Sequence, residues 1–145
     1  MLGRLGAQLL RTHFEFDPKR FMAPGEDPEA GYAWFLGTQL RSDDVAVFVA
    51  ERNDEVVGYV YAGIEPPSWK ELREQCGYIH DIIVDQRARG GGVGMQLVEV
   101  AVAWLRDRGQ PRVVLGAADA NDGAQRLFAR LGFRRTMVEM TLELS

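Results

Sequence analysis

Apolar residues recur every three or four positions at the start of the chain, which is the spacing of an amphipathic helix. This spacing predicts a helix over residues 2–13. Prolines and a glycine then interrupt the pattern. Asp27 followed by Pro28 is typical of a helix N-terminus, and the apolar residues after them extend a second predicted helix to about Arg41.

The pattern then changes to one of strands. Residues 45–51 and 56–64 are mostly apolar and rich in β-branched side chains. Asn53-Asp54 lies between them, in the position of a two-residue hairpin turn. The sequence therefore predicts two strands joined by a tight turn.

Two prolines end the second strand, and the next residues carry the signals of a helix start. Ser68 followed by Glu71 forms a capping box, which predicts a short helix over residues 69–75. Residues 78–84 are again mostly apolar, which predicts a third strand in the centre of the sheet.

The second half of the chain alternates strands with helices. A glycine-rich loop at residues 90–94 leads into a helix that is predicted from Val93 to about Arg108, with Gly109 as its stop. After Pro111, the apolar run Val113-Val114-Leu115 predicts the start of a fourth strand.

A last helix and a last strand complete the pattern. Asn121 or Asp122 begins a helix that Gly132 ends, and residues 134–144 are predicted to form the final strand. A hairpin comes first and strand–helix–strand units follow. This order predicts a mixed α/β fold (α+β in its sheet pairing) with one mixed sheet and helices on both faces.

The composition is that of a globular protein. The length of 145 residues corresponds to a single domain, residues 1–145. Hydrophobic residues make up 46% and charged residues 26%, which argues against disorder. With one cysteine, Cys76, and two histidines, the sequence excludes an intramolecular disulfide and indicates no metal centre.

Charge and hydropathy narrow the choice of partners. The net charge of -4 and the pI of about 5.2 argue against nucleic acid. No apolar run reaches the roughly 18 residues of a membrane span, and the N-terminus lacks a signal-peptide core, so we expect a cytoplasmic protein that binds no membrane. Acidic residues outnumber basic ones only in the first half, so an anionic ligand should bind the second half.

The glycine loop carries the clearest chemical signal. It joins a strand to a helix, where backbone N–H groups and a helix N-terminus can converge on a phosphate, and Arg87 and Arg89 add two cations. Met95 stands where a P-loop needs lysine, and Leu97 stands where a dinucleotide fingerprint needs a small residue, so both of these sites are excluded. A purely structural tight turn stays an alternative.

Two motifs resemble those of one family, the GCN5-related N-acetyltransferases (GNAT). Residues 89–94, Arg-Gly-Gly-Gly-Val-Gly, resemble the pyrophosphate motif of that family, and residues 82–85 are similar to the strand before it, with Gln86 in place of the usual proline. Residues 121–133 resemble the family's Asn-x-x-Ala-x-x-Leu-Tyr-x-x-x-Gly-Phe. The resemblance covers residues 45–144.

The resemblance implies a fold and an activity. It implies a GNAT-like acyl-CoA N-acyltransferase fold that lacks the family's first strand, with the sheet split between the strands at 78–85 and 112–118. It implies transfer of an acetyl group from acetyl-CoA to a primary amine of a small molecule or protein, by direct attack in a ternary complex and without a metal.

The resemblance also implies which residues bind acetyl-CoA. Backbone groups of the strand before the loop would pair with the pantetheine arm, and N–H groups of the loop would hold the pyrophosphate. Asn121 would contact the pantetheine arm or the acceptor, although it could equally cap the next helix. The implied cofactor-binding residues are Ile82, Ile83, Val84, Arg87, Arg89, Gly90, Gly91, Gly92, Val93, Gly94, Asn121 and Phe128.

The implied reaction needs a base, because a free alkylamine is mostly protonated at neutral pH. His80 and Tyr78 correspond to a His-x-His pair in the arylalkylamine acetyltransferases, so His80 is the candidate base and Tyr78 its catalytic neighbour. Strand alternation predicts that both side chains share a face and that Asp81 points to the other face. Glu51 and Cys76 are weaker base candidates.

The main departure from the family pattern is at the position of the general acid, the residue that protonates the leaving group. Phe128 stands where the family often has tyrosine, and phenylalanine donates no proton. Either Tyr61 or Tyr78 would protonate the leaving group, or CoA leaves as the thiolate.

The acceptor site, the function and the oligomeric state each have more than one interpretation. The acceptor site is expected between residues 14–40 and 65–77, where aromatic and acidic side chains suit a cationic amine or simply form core and surface. A catalytically silent CoA-binding domain and a structural interaction module are the alternative functions. Without the family's first strand, a second subunit could cover the sheet edge, which would allow a homodimer.

Overall fold

Four helices and four strands make up the fold, which a computed structural model describes for all 145 residues. The helices are α1 (Leu2–Phe16), α2 (Pro28–Gln39), α3 (Val93–Asp107) and α4 (Asp122–Arg130). The strands are β1 (Val45–Arg52), β2 (Glu55–Glu65), β3 (Cys76–Val84) and β4 (Val113–Leu115). No helix combines the length and the apolarity needed to cross a membrane.

The sheet has the order β1-β2-β3-β4 and is mixed, as the sequence predicts. β1, β2 and β3 are antiparallel neighbours, whereas β4 runs parallel to β3. The turn between β1 and β2 is the predicted one. Asn53 and Asp54 both have positive φ angles, 52° and 64°, which matches the twist of a two-residue hairpin.

Helices cover both faces of the sheet and enclose two apolar clusters. On one face, α3 packs against β1, β2 and β3, and Phe128 of α4 joins the buried cluster there, which includes Val60, Ile79 and Leu97. On the other face, α1 and α2 pack around a second cluster. That cluster consists of Leu5, Leu36, Val56, Tyr59, Tyr61 and Ile83.

The predicted helix at residues 69–75 is wrong. The capping contact does form, because Ser68 Oγ accepts a hydrogen bond from the Glu71 N–H at 3.2 Å. The Ser68 backbone, however, pairs with Arg73 in both directions, at 2.8 and 3.1 Å. Leu72 has a φ of 52°, so the chain turns back after one loop instead of continuing as a helix.

The prediction of a last strand is also wrong. Residues 134–145 belong to no helix or strand and make no backbone hydrogen bond. The fourth strand is shorter than the 112–118 that the resemblance implies, because its pairing with β3 ends at Leu115. A segment with a strand-like sequence forms a strand only where its backbone pairs with the edge of another strand.

Candidate active site

The sheet opens between β3 and β4. The two strands pair only at Gly77–Val113, Tyr78–Val114 and Ile79–Leu115. Beyond Ile79, β3 continues to Val84 with no neighbour on that side. This split lies between the two strands for which the family resemblance implies it.

Backbone direction shows which groups of β3 face the split. The Asp85 N–H donates to the Val57 carbonyl of β2 at 2.7 Å, and hydrogen-bonding direction alternates along a strand. Ile83 therefore directs its backbone groups to β2, whereas Ile82 and Val84 direct theirs into the split. The Val84 carbonyl accepts a hydrogen bond from Arg89 Nε at 3.2 Å.

A bulge in β3 changes which side chains share a face. Tyr61 pairs with Asp81 and Ala62 pairs with Ile79, so His80 is an extra residue in β3. As a result, His80 lies on the same face of the sheet as Asp81, towards α1 and α2. Ile82 belongs to the opposite face, against α3. The prediction that Asp81 and His80 point to opposite faces is wrong for this reason.

The His80 imidazole lies in an aromatic stack. Its ring centroid is 4.6 Å from that of Tyr78 and 4.7 Å from that of Tyr61. His80 Nε2 lies 2.8 Å from Glu65 Oε1, and 27% of the His80 side chain is exposed. Because a carboxylate only accepts, Nε2 carries a hydrogen and a neutral ring keeps its lone pair on Nδ1.

The hydroxyl groups around this stack differ in their partners. Tyr61 Oη donates to Gln39 Oε1 at 2.8 Å, and burial together with the Asp81 carboxylate raises its pKa to about 12. Tyr78 Oη has no hydrogen-bond partner in the protein. Burial raises the pKa of Tyr78 above the usual tyrosine value, so its hydroxyl stays protonated at neutral pH.

Asp81 is a half-buried carboxylate behind the stack. It accepts hydrogen bonds from the hydroxyl groups of Tyr32 and Tyr59, the latter at 3.3 Å. Burial raises the pKa of Asp81, and it raises the pKa of both tyrosines as well. These contacts tie α2 to β2 and β3, so Asp81 positions the strand that carries His80.

The glycine loop forms a tight entry to α3. Residues 86–88 make one turn of 3-10 helix, and Gly90 and Gly92 have φ angles of 86° and 80°. Gly92 is the N-cap of α3, and no side chain caps that helix. The N–H groups of its first turn, from Val93 and Gly94 onward, are therefore available to a ligand.

The arginines near the loop have different roles. Asp85 accepts hydrogen bonds from the guanidinium groups of Arg87 (3.2 Å) and Arg4 (2.9 Å), which hold the pKa of its carboxyl well below the usual range. The charge of Arg87 is thus partly neutralised within the protein. Arg89 uses only Nε, on the Val84 carbonyl, and its two terminal nitrogens stay free.

Arg52 is a further cation at the loop that sequence reasoning missed. A Cβ on Gly91 would lie 2.6 Å from an Arg52 guanidinium nitrogen, so this side chain lies over the loop. Arg52, Asp85 and Arg87 line the same shallow pocket. No local signal reveals Arg52, because it reaches the loop from the end of β1.

Two residues of the second motif have structural contacts. Asn121 Oδ1 accepts a hydrogen bond from the Ala124 N–H at 3.1 Å and so caps α4. Phe128 is buried in the cluster under α3 and packs edge-on against Phe133. Of the weaker base candidates, Cys76 is fully buried. Glu51 lies near the end of β1, at the opposite end of the sheet from Tyr78.

The aromatic residues expected at the acceptor site are dispersed. Tyr32 packs towards Asp81, whereas Trp34 and Trp69 are 72% and 93% exposed. Phe16 and Phe21 pack edge-on against His13 at the end of α1. Glu65 is the acidic residue of this region that reaches His80, and the sequence had not singled it out for that role.

Comparison with known proteins gives a consistent result. The model of the acetyltransferase (GNAT) family matches residues 7–133. A mycothiol acetyltransferase from Thermomonospora curvata is 33% identical over 122 residues, which cover 79% of this chain and 38% of the relative. The chain thus spans less than half the length of that relative.

Solved structures share the fold. A mutant of the BH1408 protein from Bacillus halodurans superposes with a TM-score of 0.80, at 23% identity, over 99% of this chain and 91% of the other. A protein from Clostridium acetobutylicum, described as a predicted acetyltransferase and solved with acetyl-CoA, gives a TM-score of 0.66 at 18% identity, over 95% and 88% of the two chains.

Proposed function

This chain belongs to the acetyltransferase (GNAT) family, and on that premise we propose that it transfers an acetyl group from acetyl-CoA to a primary amine. The observation that carries the proposal is the position of His80, at the bulge where the split in the sheet begins. The uncapped start of α3 lies beyond the other end of the same strand segment. One open strand thus connects a candidate base to a candidate phosphate site.

The residues present fit acetyl-CoA. Ile82 and the Val84 N–H direct backbone groups into the split, where they can pair with an extended amide chain as a neighbouring strand would. The first-turn N–H groups of α3 suit a pyrophosphate, with Arg89 and Arg52 supplying positive charge. Arg89 would exchange its hydrogen bond to the Val84 carbonyl for the phosphate. When bound, acetyl-CoA supplies the thioester that the amine attacks.

His80 is proposed to take the proton from the amine. Glu65 holds Nε2–H, so that the Nδ1 lone pair accepts the proton, directly or through a water molecule. The carboxylate also stabilises the imidazolium that this transfer creates. Glu65 is therefore a positioning residue in this proposal.

Tyr78 is proposed to protonate the departing thiolate. Its hydroxyl is protonated at neutral pH and unpaired, whereas Tyr61 already donates to Gln39. Phe128 cannot serve, since it has no proton to donate and is buried under α3. The stacking of Tyr78 on His80 keeps the proposed acid and base adjacent.

The acceptor is proposed to be a small amine. The likeness to a mycothiol acetyltransferase supports a small-molecule acceptor. Aromatic rings beside a carboxylate, here Tyr61 and Tyr78 beside Glu65, also suit a cationic amine before it loses its proton.

Turnover tests the proposal. Release of CoA thiol from acetyl-CoA would be measured with a panel of alkylamines, amino sugars, amino acids and a lysine peptide. For an amine that is acetylated, we expect His80→Ala to lower kcat by about 10²- to 10⁴-fold. His13→Ala is the matched control, because the His13 ring is hydrogen-bonded to the Leu9 carbonyl within α1 and is not part of the proposed site. Equal rates for His80→Ala and the unmodified chain would refute the base assignment.

A catalytically silent CoA-binding domain is the second candidate function. The observation in its favour is Phe128, a buried apolar residue where the family often has tyrosine. Binding of acetyl-CoA without thiol release for any amine of the panel would select this function over the first.

A further inference from the structure

The connection between β2 and β3, residues 66–75, carries two large apolar side chains in contact with solvent. Trp69 and Leu72 are 93% and 89% exposed. The Leu72 N–H donates to the Trp69 carbonyl at 3.4 Å, so the two residues are the ends of one β-turn and their Cα atoms lie within about 7 Å of each other. We call this pair the apolar tip. Two neighbouring apolar side chains in water form a surface that a ligand can cover.

The apolar tip is held in a fixed position. The backbone of Ser68 pairs with that of Arg73 in both directions and closes the turn at its base. Arg73 Nη1 also donates to Cys76 Sγ at 3.1 Å, which ties the turn to the start of β3. Leu72 keeps a φ of 52°, which a leucine adopts only where its surroundings hold it there. The turn therefore presents Trp69 and Leu72 on a braced backbone.

The apolar tip borders the candidate active site. The connection begins directly after Glu65, which contacts His80, and it ends at Cys76, the partner of Glu65 across the sheet. Burial raises the pKa of Tyr78, and the charge of Arg73 opposes that rise, so the turn approaches the Tyr78 hydroxyl. The aromatic stack around His80 thus leads from the interior of the site to the turn that carries the tip.

The chemistry of the site changes from its interior to its rim. In the interior, the partly exposed Glu65 carboxylate lies beside aromatic rings, which suits an ammonium group. At the rim, Phe35 of α2 is 37% exposed and packs edge-on against Tyr61, with the ring centroids 6.2 Å apart. The Tyr61 hydroxyl already donates to Gln39, so this part of the wall presents rings rather than a free hydroxyl group.

We propose that the acceptor is a primary amine with an apolar tail, either alkyl or aryl, whose tail lies against Trp69 and Leu72 while its nitrogen lies between Glu65 and His80. The inference rests on the proposed function and names the substrate class of the same site. The reaction is the same acetyl transfer. The amine nitrogen bonds to the acetyl carbon and the C–S bond breaks. His80 takes the proton of the amine, and Tyr78 gives one to the CoA thiolate.

A series of amines of increasing length tests the proposal. Thiol release from acetyl-CoA would be measured with propylamine, butylamine, pentylamine and hexylamine, and with glucosamine and a lysine peptide for comparison. If the tail covers the apolar tip, kcat/KM should rise by about 2- to 4-fold for each added methylene group. Hexylamine should therefore exceed both glucosamine and the peptide.

The double variant Trp69→Ser/Leu72→Asn removes the apolar tip. Its kcat/KM should be nearly the same for all four alkylamines, whereas the value for propylamine should stay within about 2-fold of that of the unmodified chain. Both side chains are exposed, and asparagine adopts a positive φ more readily than leucine, so the turn is retained.

Trp34→Ser is the matched control. Trp34 is also largely exposed, but on α2 it lies two positions, or about 200° of helix rotation, from both Tyr32 and Leu36, which face the sheet. This variant should keep the full dependence of kcat/KM on chain length.

Three results would overturn the assignment of the tail site. These are equal kcat/KM for the four alkylamines, a preference for glucosamine or the lysine peptide, and a length dependence that the double variant retains. Absence of thiol release with every amine is a different result, because it would overturn the proposed acetyl transfer and the inference that rests on it.

Discussion

The Nε2 atom of His80 lies 2.8 Å from Oε1 of Glu65, which links the bulged residue of β3 to the last residue of β2. The bulge makes this contact possible, because it brings His80, together with Tyr78, onto the face of the sheet that carries Tyr61 and Glu65. A regular strand would not place Tyr78, His80 and Asp81 on one face. The local irregularity of β3 thus creates the arrangement to which we assign catalysis.

Glu65→Gln tests the role of this contact. The amide can still accept a hydrogen bond but cannot stabilise an imidazolium by charge, so we expect kcat to fall by about 10- to 100-fold. KM for acetyl-CoA should change little, because Glu65 is the last residue of β2 and lies away from the open edge of β3, where we propose that the cofactor binds. Steady-state kinetics give both constants.

Glu71→Gln is the matched control for that variant. Glu71 lies in the exposed turn after β2, and its backbone N–H rather than its carboxylate makes the local contact. The role proposed for the contact between His80 and Glu65 is wrong if the two glutamine variants have the same kcat.

Tyr78→Phe tests the proposed acid. The ring that stacks on His80 is retained while the unpaired hydroxyl is lost, so kcat should fall by about 10-fold or more with little loss of stability. The rate would be followed by thiol release, and stability by thermal unfolding. An unchanged kcat would mean that CoA leaves as the thiolate without help from Tyr78.

Asp85→Asn should reduce stability in a pH-dependent way. The Arg87 and Arg4 guanidinium groups lower the pKa of the buried Asp85 carboxyl, so the folded state favours the ionised form. The resulting stabilisation is complete above the unfolded pKa of about 3.9 and is lost as the pH falls below it towards the folded value. At neutral pH the substitution should cost about 2 kcal/mol.

Urea unfolding at a series of pH values measures this effect. The difference in unfolding free energy between the unmodified chain and Asp85→Asn should be largest above pH of about 5 and should shrink in acid. A difference that is constant down to pH of about 2 would show that the Asp85 charge is not the cause.

Gly92→Ala and Gly91→Ala separate backbone strain from crowding in the loop. Gly92 has a φ of 80°, so an alanine there should cost about 1–2 kcal/mol of unfolding free energy. At Gly91 an added Cβ meets only the end of the flexible Arg52 side chain, so the cost should stay within about 0.5 kcal/mol. Equal destabilisation by the two substitutions, measured in urea, would contradict the described loop geometry.

Local sequence patterns were sufficient to predict most of the fold. Asp27 caps α2 through a hydrogen bond to the Ala30 N–H, and Asn53-Asp54 makes the hairpin turn, as predicted. Both features depend on a few adjacent residues. The helix at 69–75 failed because the backbone pairing of Ser68 with Arg73 competes with it, and a capping box does not reveal that pairing.

The site was harder to predict because it depends on irregular and long-range features. Strand alternation misplaced Asp81 relative to His80, since nothing in the sequence indicates an extra residue in β3. Arg52 and Glu65 reach the site from the ends of β1 and β2, which lie far from the motifs along the chain. The glycine loop, in contrast, is a local feature and could be predicted from its residues.

Ligand-dependent stability is the measurement that tests the central claim most directly. Urea unfolding would be followed without ligand and with acetyl-CoA, ATP or NAD. If the split and the loop bind acetyl-CoA, a concentration of 100 times its dissociation constant should add about 2.7 kcal/mol to the unfolding free energy, and the other two nucleotides should add much less. No stabilisation by acetyl-CoA, or equal stabilisation by ATP, would contradict the assignment of this site.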